Sequence, residues 1–562
     1  MAVEKMLSKI SCDNWLVVFG ILVAILLRNI TMLHPHSGEG NPPMYGDYEA
    51  QRHWMEITTN LPVLDWYQNK TENNLEYWGL DYPPLTAYHM YLCGLFAKYL
   101  NENYTLLHKS QGFESDDHKL FMRITVLICD VLVYIPSLVI FYYLNINGQK
   151  SETVCEFSKQ VPLLPFSLTT ILGLLYPGII LVDHGHFQYN NVSLGLTTLS
   201  VIFLIRKKNI FATMFFCFAL NYKQMELYHS LPFFFYLLST CIPKPGKKAI
   251  GGIISLFQLA VTVVLSFSMI WFPFLLDLEV THQVLHRLFP FSRGIFEDKV
   301  ANFWCALNII YKLKTCNHAK LMRICLFTTL SAVFPSSVDL FLRPNLKKFV
   351  LALINSSLAF FLFSYHVHEK TILVVSLPIL LHFPENPFVC FWFLYISVFS
   401  MIPLFVKDGL ILAMMALLLF YILSFYACMK YYYHSVQNQP NTSQIKCSRI
   451  QFLHDMLNIK IKKLEKSGSA WGLLLDRITK DKDSLKNLFF FSAMFFSFIG
   501  SVIIFISSLI FEPPMRYPDL FTLLISVYSC LHFLGFFVYF NVKQIEISQD
   551  FGDIGNVKLK EY

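Results

Sequence analysis

The chain has 562 residues, of which 55% are hydrophobic and only 15% are charged, and its mean hydropathy is +0.47. This composition excludes an ordinary soluble protein, because apolar runs of about 18 residues or more, enough to cross a bilayer, recur along nearly the whole length. The net charge of +7 does not indicate nucleic-acid binding, since the basic residues gather in short loops between the apolar runs.

Fourteen apolar segments of about 20 residues each are predicted to form membrane-spanning helices. An even number of spans places both termini on the cytosolic side. Lys5 and Lys9 precede the first segment, and no small-residue cleavage site follows it, so it is predicted to be a retained span. The segments lie near residues 14–34, 120–145, 162–182, 188–205, 209–222, 227–242, 249–277, 321–341, 349–365, 370–384, 387–406, 409–430, 487–511 and 519–541.

The loops between these segments fall into two chemically different sets. Basic loops mark the cytosolic side of a membrane protein, and three short loops here are basic: Arg206–Lys208, Lys244–Lys248 and Arg343–Lys348. The loops at the other end contain acids, histidines, amides and aromatic residues. This separation predicts that one polar site is assembled at the lumenal or external face.

Three connecting segments are too long to be simple turns. Two of them, residues 35–119 and 278–320, are predicted on the lumenal side, where loops of such length usually carry function. The first contains the apolar stretch Leu85–Leu100, predicted to be a helix at the bilayer surface. The third, residues 431–486, is predicted to be cytosolic and includes a basic amphipathic stretch suited to an anionic inner leaflet.

The motif GDYEAQRHW (46–54) directly follows the first span. Asp47 is its candidate general base, because desolvation raises the pKa of a carboxyl near the membrane and a neighbouring arginine lowers it, and either suits proton transfer. Arg52 and His53 are candidate substrate-binding residues. The alternative is a solvated loop in which Arg52 pairs with Glu49.

The motif WGLDYPP (78–84) surrounds one carboxylate with aromatic rings. Asp81 precedes Tyr82 and two prolines, which force an extended backbone and fix the direction of the side chain. Trp78 and Tyr82 would offer apolar ring faces to a sugar, while Asp81 would accept hydrogen bonds from its hydroxyls. An aromatic anchor at the bilayer boundary explains these residues equally well.

The motif DHGHFQYN (183–190) lies where the third predicted span meets the fourth. The spacing of His184 and His186 differs from the i, i+4 pair of the common zinc helix, and no third ligand is specified. A hydrogen-bonding lining for a polar substrate, formed by these histidines and Gln188, is therefore favoured over a metal site.

Two further motifs place cations beside the predicted spans. Lys223 and Gln224 lie between the fifth and sixth spans, and His368, Glu369 and Lys370 lie at the mouth of the ninth. Ionisable residues at membrane depth are costly unless they face a polar cavity, so they indicate function. Histidine and lysine together could hold a phosphate. The alternative is an interfacial Glu369–Lys370 ion pair with a snorkelling side chain.

The second long loop supplies one further candidate residue, and the sequence lacks the motifs of nucleotide-binding enzymes. Arg293 lies beside aromatic residues, which suits a lipid phosphate, although a simple headgroup anchor explains it nearly as well. Apart from Asp277 with Glu279 at a span end, no acid-x-acid pair stands out in the lumenal loops, and no nucleotide-binding glycine loop is present. A metal-held nucleotide diphosphate is therefore not expected.

The sequence resembles the lumenal glucosyltransferases of the endoplasmic reticulum that use dolichyl phosphate glucose. The resemblance covers about residues 35–410, extends weakly to the end, and rests on six motifs in order: GDYEAQRHW, YWGLDYPPLTAY, DHGHFQYN, NYKQMELYH, FPFSRGIFEDKVANFW and FSYHVHEKTI. It implies an all-α polytopic membrane protein with the multi-span, C-type glycosyltransferase fold. The predicted organisation is a transmembrane catalytic module (1–430), the cytosolic loop (431–486), and a C-terminal hairpin with a cytosolic tail (487–562).

The resemblance also implies a reaction and roles for two residues. Glucose would pass, with inversion, from dolichyl phosphate glucose to the terminal mannose of a dolichyl-diphosphate-linked nine-mannose oligosaccharide, in α-1,3 linkage. Asp47 would be the general base, since phosphate is already a good leaving group, and His368 would stabilise the departing phosphate. No metal, cofactor or nucleic acid is expected, and the site would face the lumen of the endoplasmic reticulum.

Two alternatives to this function remain from the sequence. The sister enzyme that adds the second glucose has related motifs. A transporter or scramblase of lipid-linked sugars would also have many spans and cationic loops, but transporters usually show internal repeats and sites at the bilayer midplane. The polar motifs here lie at one surface, which favours the enzyme.

Overall fold

The computed structural model of the chain describes residues 12–151, 163–243, 249–289, 299–437 and 482–558. Within these ranges the protein is almost entirely helical, and an isolated extended bridge joins Lys70 to Asn73. The all-α prediction is therefore confirmed. Arg293, the basic loop 244–248 and the amphipathic stretch of the third long segment lie outside the described residues.

The helices of the first half are α1 (Cys12–Thr31), α2 (Asp47–Asn60), α3 (Pro84–Leu100), α4 (Asp116–Cys129), α5 (Ile135–Ser151), α6 (Phe166–Leu174), α7 (Pro177–Ile179), α8 (Asn190–Ile205), α9 (Asn209–Tyr222), α10 (Leu227–Cys241) and α11 (Ala249–Leu275). Those of the second half are α12 (Leu278–Leu288), α13 (Phe303–Leu307), α14 (His318–Leu342), α15 (Leu346–Phe363), α16 (Ile372–His382), α17 (Pro387–Ser400), α18 (Ile402–Lys407), α19 (Ile411–Gln437), α20 (Lys482–Ile510) and α21 (Leu520–Lys558).

Each of the fourteen predicted segments coincides with helical structure, but the described ranges contain only nine helices long and apolar enough to cross a membrane. The prediction of a polytopic membrane protein is confirmed. Helices α8, α9 and α17 are shorter apolar helices, below the roughly 20 residues that a bilayer crossing needs. Polar residues after a short helix can therefore lie inside the bundle, and Lys223, directly after α9, is buried.

The connections at one end of the bundle contact one another; this end is called the polar end below. The Ser37 N–H donates to the His186 carbonyl at 3.0 Å. Arg287 Nη2 donates to the Gly79 carbonyl at 2.7 Å. The first contact joins the first long loop to the motif after α7, and the second joins the second long loop to the first. These motifs therefore gather at one end, as predicted. Helix α8 begins at Asn190, beside this motif, and runs for 16 residues, a length of about 24 Å. The exposed residues Arg206–Lys208 that follow it therefore lie at the opposite end.

Two helices, α2 and α3, lie within the first long loop. Helix α3 confirms the predicted helix, and one side of it exposes large apolar residues such as Leu92, Phe96 and Tyr99. Helix α2 was not predicted, because polar side chains fill almost every position and no amphipathic period is visible. Eleven consecutive residues of α2, 48–58, are nevertheless buried, since its charged side chains pair with one another.

The third predicted span does not end at residue 182. A break at Tyr176 and Pro177 separates α6 from α7, which continues as the π-helical segment Ile180–Phe187. Single π turns within α-helices occur frequently at functional sites. The motif DHGHF (183–187) is thus the buried end of a helix rather than a surface loop.

Candidate active site

Asp47 occupies the first position of α2, and Gly46 before it sets the direction of the helix. Gly46 has φ +126°, and a Cβ at this position would lie 2.8 Å from the backbone carbon and oxygen of Ser37. Only glycine has low-energy access to this conformation at such a close approach. The Asp47 side chain is 25% exposed, so it can reach a ligand at the polar end.

The two carboxylate oxygens of Asp47 have different surroundings. Oδ2 accepts hydrogen bonds from Gln188 Nε2 at 2.5 Å and Lys370 Nζ at 2.5 Å, and lies 3.1 Å from His186 Nε2. Oδ1 accepts no hydrogen bond from any residue in the described ranges. One oxygen is therefore fixed from three sides, and the other is available to a bound ligand.

Charge at this site holds Asp47 in its ionised form. Burial raises the pKa of the Asp47 carboxyl, but Lys370 and His186 oppose burial more strongly and keep this pKa well below its usual value. Burial lowers the pKa of Lys370, and Asp47 reverses that effect, so the pKa of Lys370 is raised overall. The pair is a carboxylate and an ammonium at neutral pH. The cation beside Asp47 is Lys370 and not Arg52.

His186 connects Asp47 to a residue that sequence reasoning missed. Its Nδ1 lies 2.5 Å from Oδ2 of Asp408, between α18 and α19, and its Nε2 lies 3.1 Å from Lys370 Nζ. Asp408 is a single acid between the predicted spans 387–406 and 409–430. The predicted topology places this turn at the same end as the motifs, which is the signal that could have identified it.

Asp47 and the three residues that contact it, His186, Gln188 and Lys370, are called the Asp47 cluster below. Lys223 is linked to this cluster through Gln188. Gln188 Oε1 accepts from Lys223 Nζ at 3.4 Å and from Asn190 Nδ2 at 3.0 Å, and Lys223 also donates to Asn190 Oδ1. The Lys223 ammonium lies 5.2 Å from the centroid of the Tyr82 ring. Burial lowers the pKa of Lys223 to about 8, so a second cation lies close to the Asp47 cluster.

Arg52 and His53 belong to a separate buried network. Arg52 Nη2 donates to Glu49 at 2.6 Å and to Glu56 at 2.7 Å, and His53 Nδ1 lies 3.3 Å from the Glu56 carboxylate. Arg52 has no exposed surface. The Arg52–Glu49 pair considered as the alternative is present, inside the protein rather than in solvent, and holds α2 in place.

The WGLDYPP motif borders the cluster. Gln224 Nε2 donates to the Asp81 carbonyl at 3.1 Å, and Trp54 Nε1 donates to the Trp78 carbonyl at 2.8 Å. The rings of Trp54 and Tyr82 lie 5.0 Å apart. Tyr82 therefore contacts the Lys223 side of the cluster, while Trp78 contributes its backbone to the support of α2.

The two histidines of DHGHF point to different surroundings. His186 faces Asp47, whereas His184 Nε2 lies 2.8 Å from Asp130 Oδ2 in the interior. Asp130 is also paired with Arg28 of α1. His184 thus ties the π-helical segment to α1 and α4, and only His186 belongs to the Asp47 cluster.

His368 and Glu369 directly precede Lys370. Two residues span at most about 7 Å, so the contact between Lys370 and Asp47 also brings the HVHEK motif to the polar end beside Asp47. The His368 ring lies 5.1 Å from the His366 ring, edge to face. In the described ranges, no group of three or more His, Cys, Asp or Glu side chains could hold a metal ion.

Comparison with known proteins gives the family. Residues 17–539 match the ALG6, ALG8 glycosyltransferase family. The chain belongs to this family. The predicted resemblance is confirmed, and so is the prediction of an enzyme over a transporter.

Relatives of this glycosyltransferase match along nearly the whole chain. Proteins of Gallus gallus and Pongo abelii are each 42% identical to it, over 94% of this chain and 97% of the relative. A protein of Rattus norvegicus is 42% identical over 94% of this chain and 96% of that protein. All three are named dolichyl pyrophosphate Man9GlcNAc2 alpha-1,3-glucosyltransferase.

Proposed function

We propose that this glycosyltransferase moves glucose from dolichyl phosphate glucose to the terminal mannose of dolichyl-diphosphate-linked Man9GlcNAc2, in α-1,3 linkage. The shared name of the three relatives supports the acceptor and the linkage. The single observation that carries the mechanism is the Asp47 carboxylate, with Oδ2 fixed by neighbouring residues and Oδ1 available to a ligand.

Asp47 acts as the general base. The hydroxyl oxygen of the terminal mannose attacks the anomeric carbon of glucose, and Asp47 Oδ1 accepts the proton of that hydroxyl. The bond between the anomeric carbon and the phosphate oxygen breaks at the same time. Attack from the face opposite the leaving group converts a β-linked donor into an α-linked product. One carboxylate suffices, as in the base half of an inverting glycosidase, because dolichyl phosphate needs no proton to leave.

Cations beside Asp47 bind the phosphate of the donor. Lys370, Lys223 and His368 offer charge-assisted donors, which bind phosphate strongly and stabilise the negative charge that develops as it leaves. Lys370 is paired with Asp47 in the absence of substrate. A phosphate that attracts the Lys370 ammonium weakens this pair and raises the pKa of Asp47 towards its ordinary value. Donor binding therefore strengthens the base.

The polar end faces the lumen of the endoplasmic reticulum, and both termini are cytosolic. The exposed basic residues Arg206–Lys208 at the opposite end support this orientation, since basic loops stay in the cytosol. The lipid-linked donor and acceptor then meet the site from the lumenal leaflet. No cofactor takes part, because the residues named above supply both the base and the phosphate-binding cations.

The test is transfer by the purified full-length protein in lipid nanodiscs, with short-chain dolichyl phosphate glucose as the donor. Two lipid-linked acceptors are compared, one with nine mannoses and one that already carries the first glucose. We expect one hexose to be added to the nine-mannose acceptor only. Addition only to the glucose-bearing acceptor would identify the sister activity, and addition to neither would refute the proposal.

A further inference from the structure

Asp408 is a buried carboxylate whose side chain contacts one polar group. Its Oδ2 lies 2.5 Å from His186 Nδ1, and within the described ranges this side chain makes no other hydrogen bond. Asp408 is 6% exposed and His186 is 3% exposed. Burying a carboxylate is costly unless it is paired, so the specific contact with His186 calls for a reason.

This contact determines which nitrogen of His186 carries hydrogen. An ionised carboxylate only accepts hydrogen bonds, so the hydrogen between Asp408 and His186 belongs to Nδ1. The opposite nitrogen, Nε2, then has two states. In the charged ring it donates to Asp47, 3.1 Å away, and in the neutral ring its lone pair accepts from Lys370, 3.1 Å away.

We propose that Asp408 is a positioning residue for the transfer reaction, which keeps the ring hydrogen of His186 on Nδ1, so that Nε2 carries no hydrogen whenever the ring is neutral. This inference rests on the proposed function of Asp47 as the base. When Asp47 receives the proton of the acceptor hydroxyl it loses its charge, and Lys370 loses its ionic partner. The lone pair on His186 Nε2 keeps an acceptor in front of Lys370 at that moment, so the buried ammonium remains hydrogen-bonded.

The substitution Asp408→Asn tests the tautomer while it preserves the shape of the side chain. The amide of asparagine can donate to Nδ1, which moves the ring hydrogen to Nε2 and points an N–H at the Lys370 ammonium. In a serine protease the equivalent exchange keeps the geometry yet lowers kcat by about 10⁴ through the wrong tautomer. For D408N we expect kcat to fall at least about tenfold, with KM for the donor changed less than about threefold.

A double-mutant cycle separates this role from simple packing. The unmutated protein, D408N, His186→Gln and the double variant are compared in long single-turnover assays. If Asp408 acts through His186, D408N causes no further loss in the His186→Gln background. An equal loss in both backgrounds, or an unchanged kcat in D408N, would overturn the proposal.

Asp408→Glu keeps an acceptor for Nδ1 and is expected to retain more activity than D408N. This variant decides the question if D408N does not fold, since a loss as complete as that of Asp47→Asn would overturn the proposal.

The reactivity of Lys370 provides a measurement that does not depend on catalysis. Acetylation of Lys370 by an amine-directed reagent is quantified by mass spectrometry, with exposed Lys109 as the internal reference. D408N is expected to increase the reaction of Lys370 at least about threefold, because a donor replaces its acceptor, and to have no effect in the His186→Gln background. If the unmutated protein transfers no glucose, the proposed function fails, while equal reactivity in D408N and the unmutated protein would refute the role of Asp408.

Discussion

Lys370 Nζ lies 2.5 Å from Asp47 Oδ2, although 323 residues of sequence separate the two. The contact joins the first long loop to the turn after α15 and places the proposed base next to the proposed phosphate-binding motif. In the proposed mechanism this pair is the resting state of the site, and the donor phosphate competes with Asp47 for Lys370.

Asp47→Asn is expected to abolish glucose transfer while the protein still binds dolichyl phosphate glucose. Asparagine keeps the size of the side chain but cannot take up the proton of the mannose hydroxyl. A general base contributes about 10² to 10⁴ in rate. The rate of transfer and the dissociation constant of the donor are measured on the same preparation. Glu76→Gln, an exposed carboxylate in the same loop, is the matched control and should remain active. Normal transfer by the Asp47 variant would remove this residue from the base role.

The pKa of Lys223 predicts an alkaline limit to activity. Burial lowers this pKa to about 8, so Lys223 loses its positive charge, and part of its attraction for the donor phosphate, as the pH rises through that value. We expect kcat/KM for the donor to fall above about pH 8 in the unmutated protein. Lys223→Arg stays charged and should shift the fall to higher pH, as initial rates across this range will show. An identical alkaline limb in both proteins would assign it to another group.

The buried network of α2 predicts acid sensitivity of the fold. Burial raises the pKa of Glu56, but the hydrogen bond from His53 and the charge of Arg52 oppose it and hold this pKa at about 2, below its ordinary value of 4.5. A depressed carboxyl pKa adds stability above the unfolded value, and that stability is lost as the pH falls through the folded value. Ionised Glu56 should therefore contribute on the order of 3 kcal/mol to the free energy of unfolding. This contribution should disappear as the pH falls from about 4.5 to about 2.

The unfolding temperature of Glu56→Gln in detergent tests this prediction. The variant should be less stable than the unmutated protein at pH 7, and the difference should shrink below about pH 4. A difference that stays constant down to pH 3 would show that Glu56 acts through packing alone. Glu76→Gln should follow the unmutated protein throughout.

Chelation is expected to leave the transfer rate unchanged. This expectation rests on two cations: Lys223 and Lys370 are close enough to the Asp47 cluster to supply the positive charge that a metal ion would otherwise bring to a phosphate. Initial rates are measured before and after dialysis against a chelator, and again after addition of Mg²⁺ or Mn²⁺. Complete inhibition that added metal reverses would contradict the expectation.

Much of the architecture could be predicted from hydropathy and charge. Long apolar runs are unambiguous signals for membrane helices, and the segregation of basic residues placed the motifs at one end. The contacts of Asp47 with His186, Gln188 and Lys370 are compatible with that placement, but the sequence did not predict these particular pairs. The number of true crossings could not be read from hydropathy, since short helices such as α9 end inside the protein.

Other features depended on packing that no local pattern encodes. Helix α2 has a polar sequence, and only the closing of the Arg52–Glu56 pair in the interior makes it a buried helix. His184 and His186 have different surroundings because the motif is helical, and two residues apart on a helix lie on nearly opposite faces. Asp408 belongs to none of the sequence motifs, and its contact with His186 is visible only in the folded structure.

The long sequence separation within the site has a consequence for synthesis. Asp47 leaves the ribosome early, while Lys370 and Asp408 follow only after tens of seconds at ordinary elongation rates. During that interval His186 is already made, but the carboxylate of Asp47 lacks its ammonium partner. A premature stop before residue 370 would therefore leave Asp47 without Lys370, even though every residue of the first long loop is present.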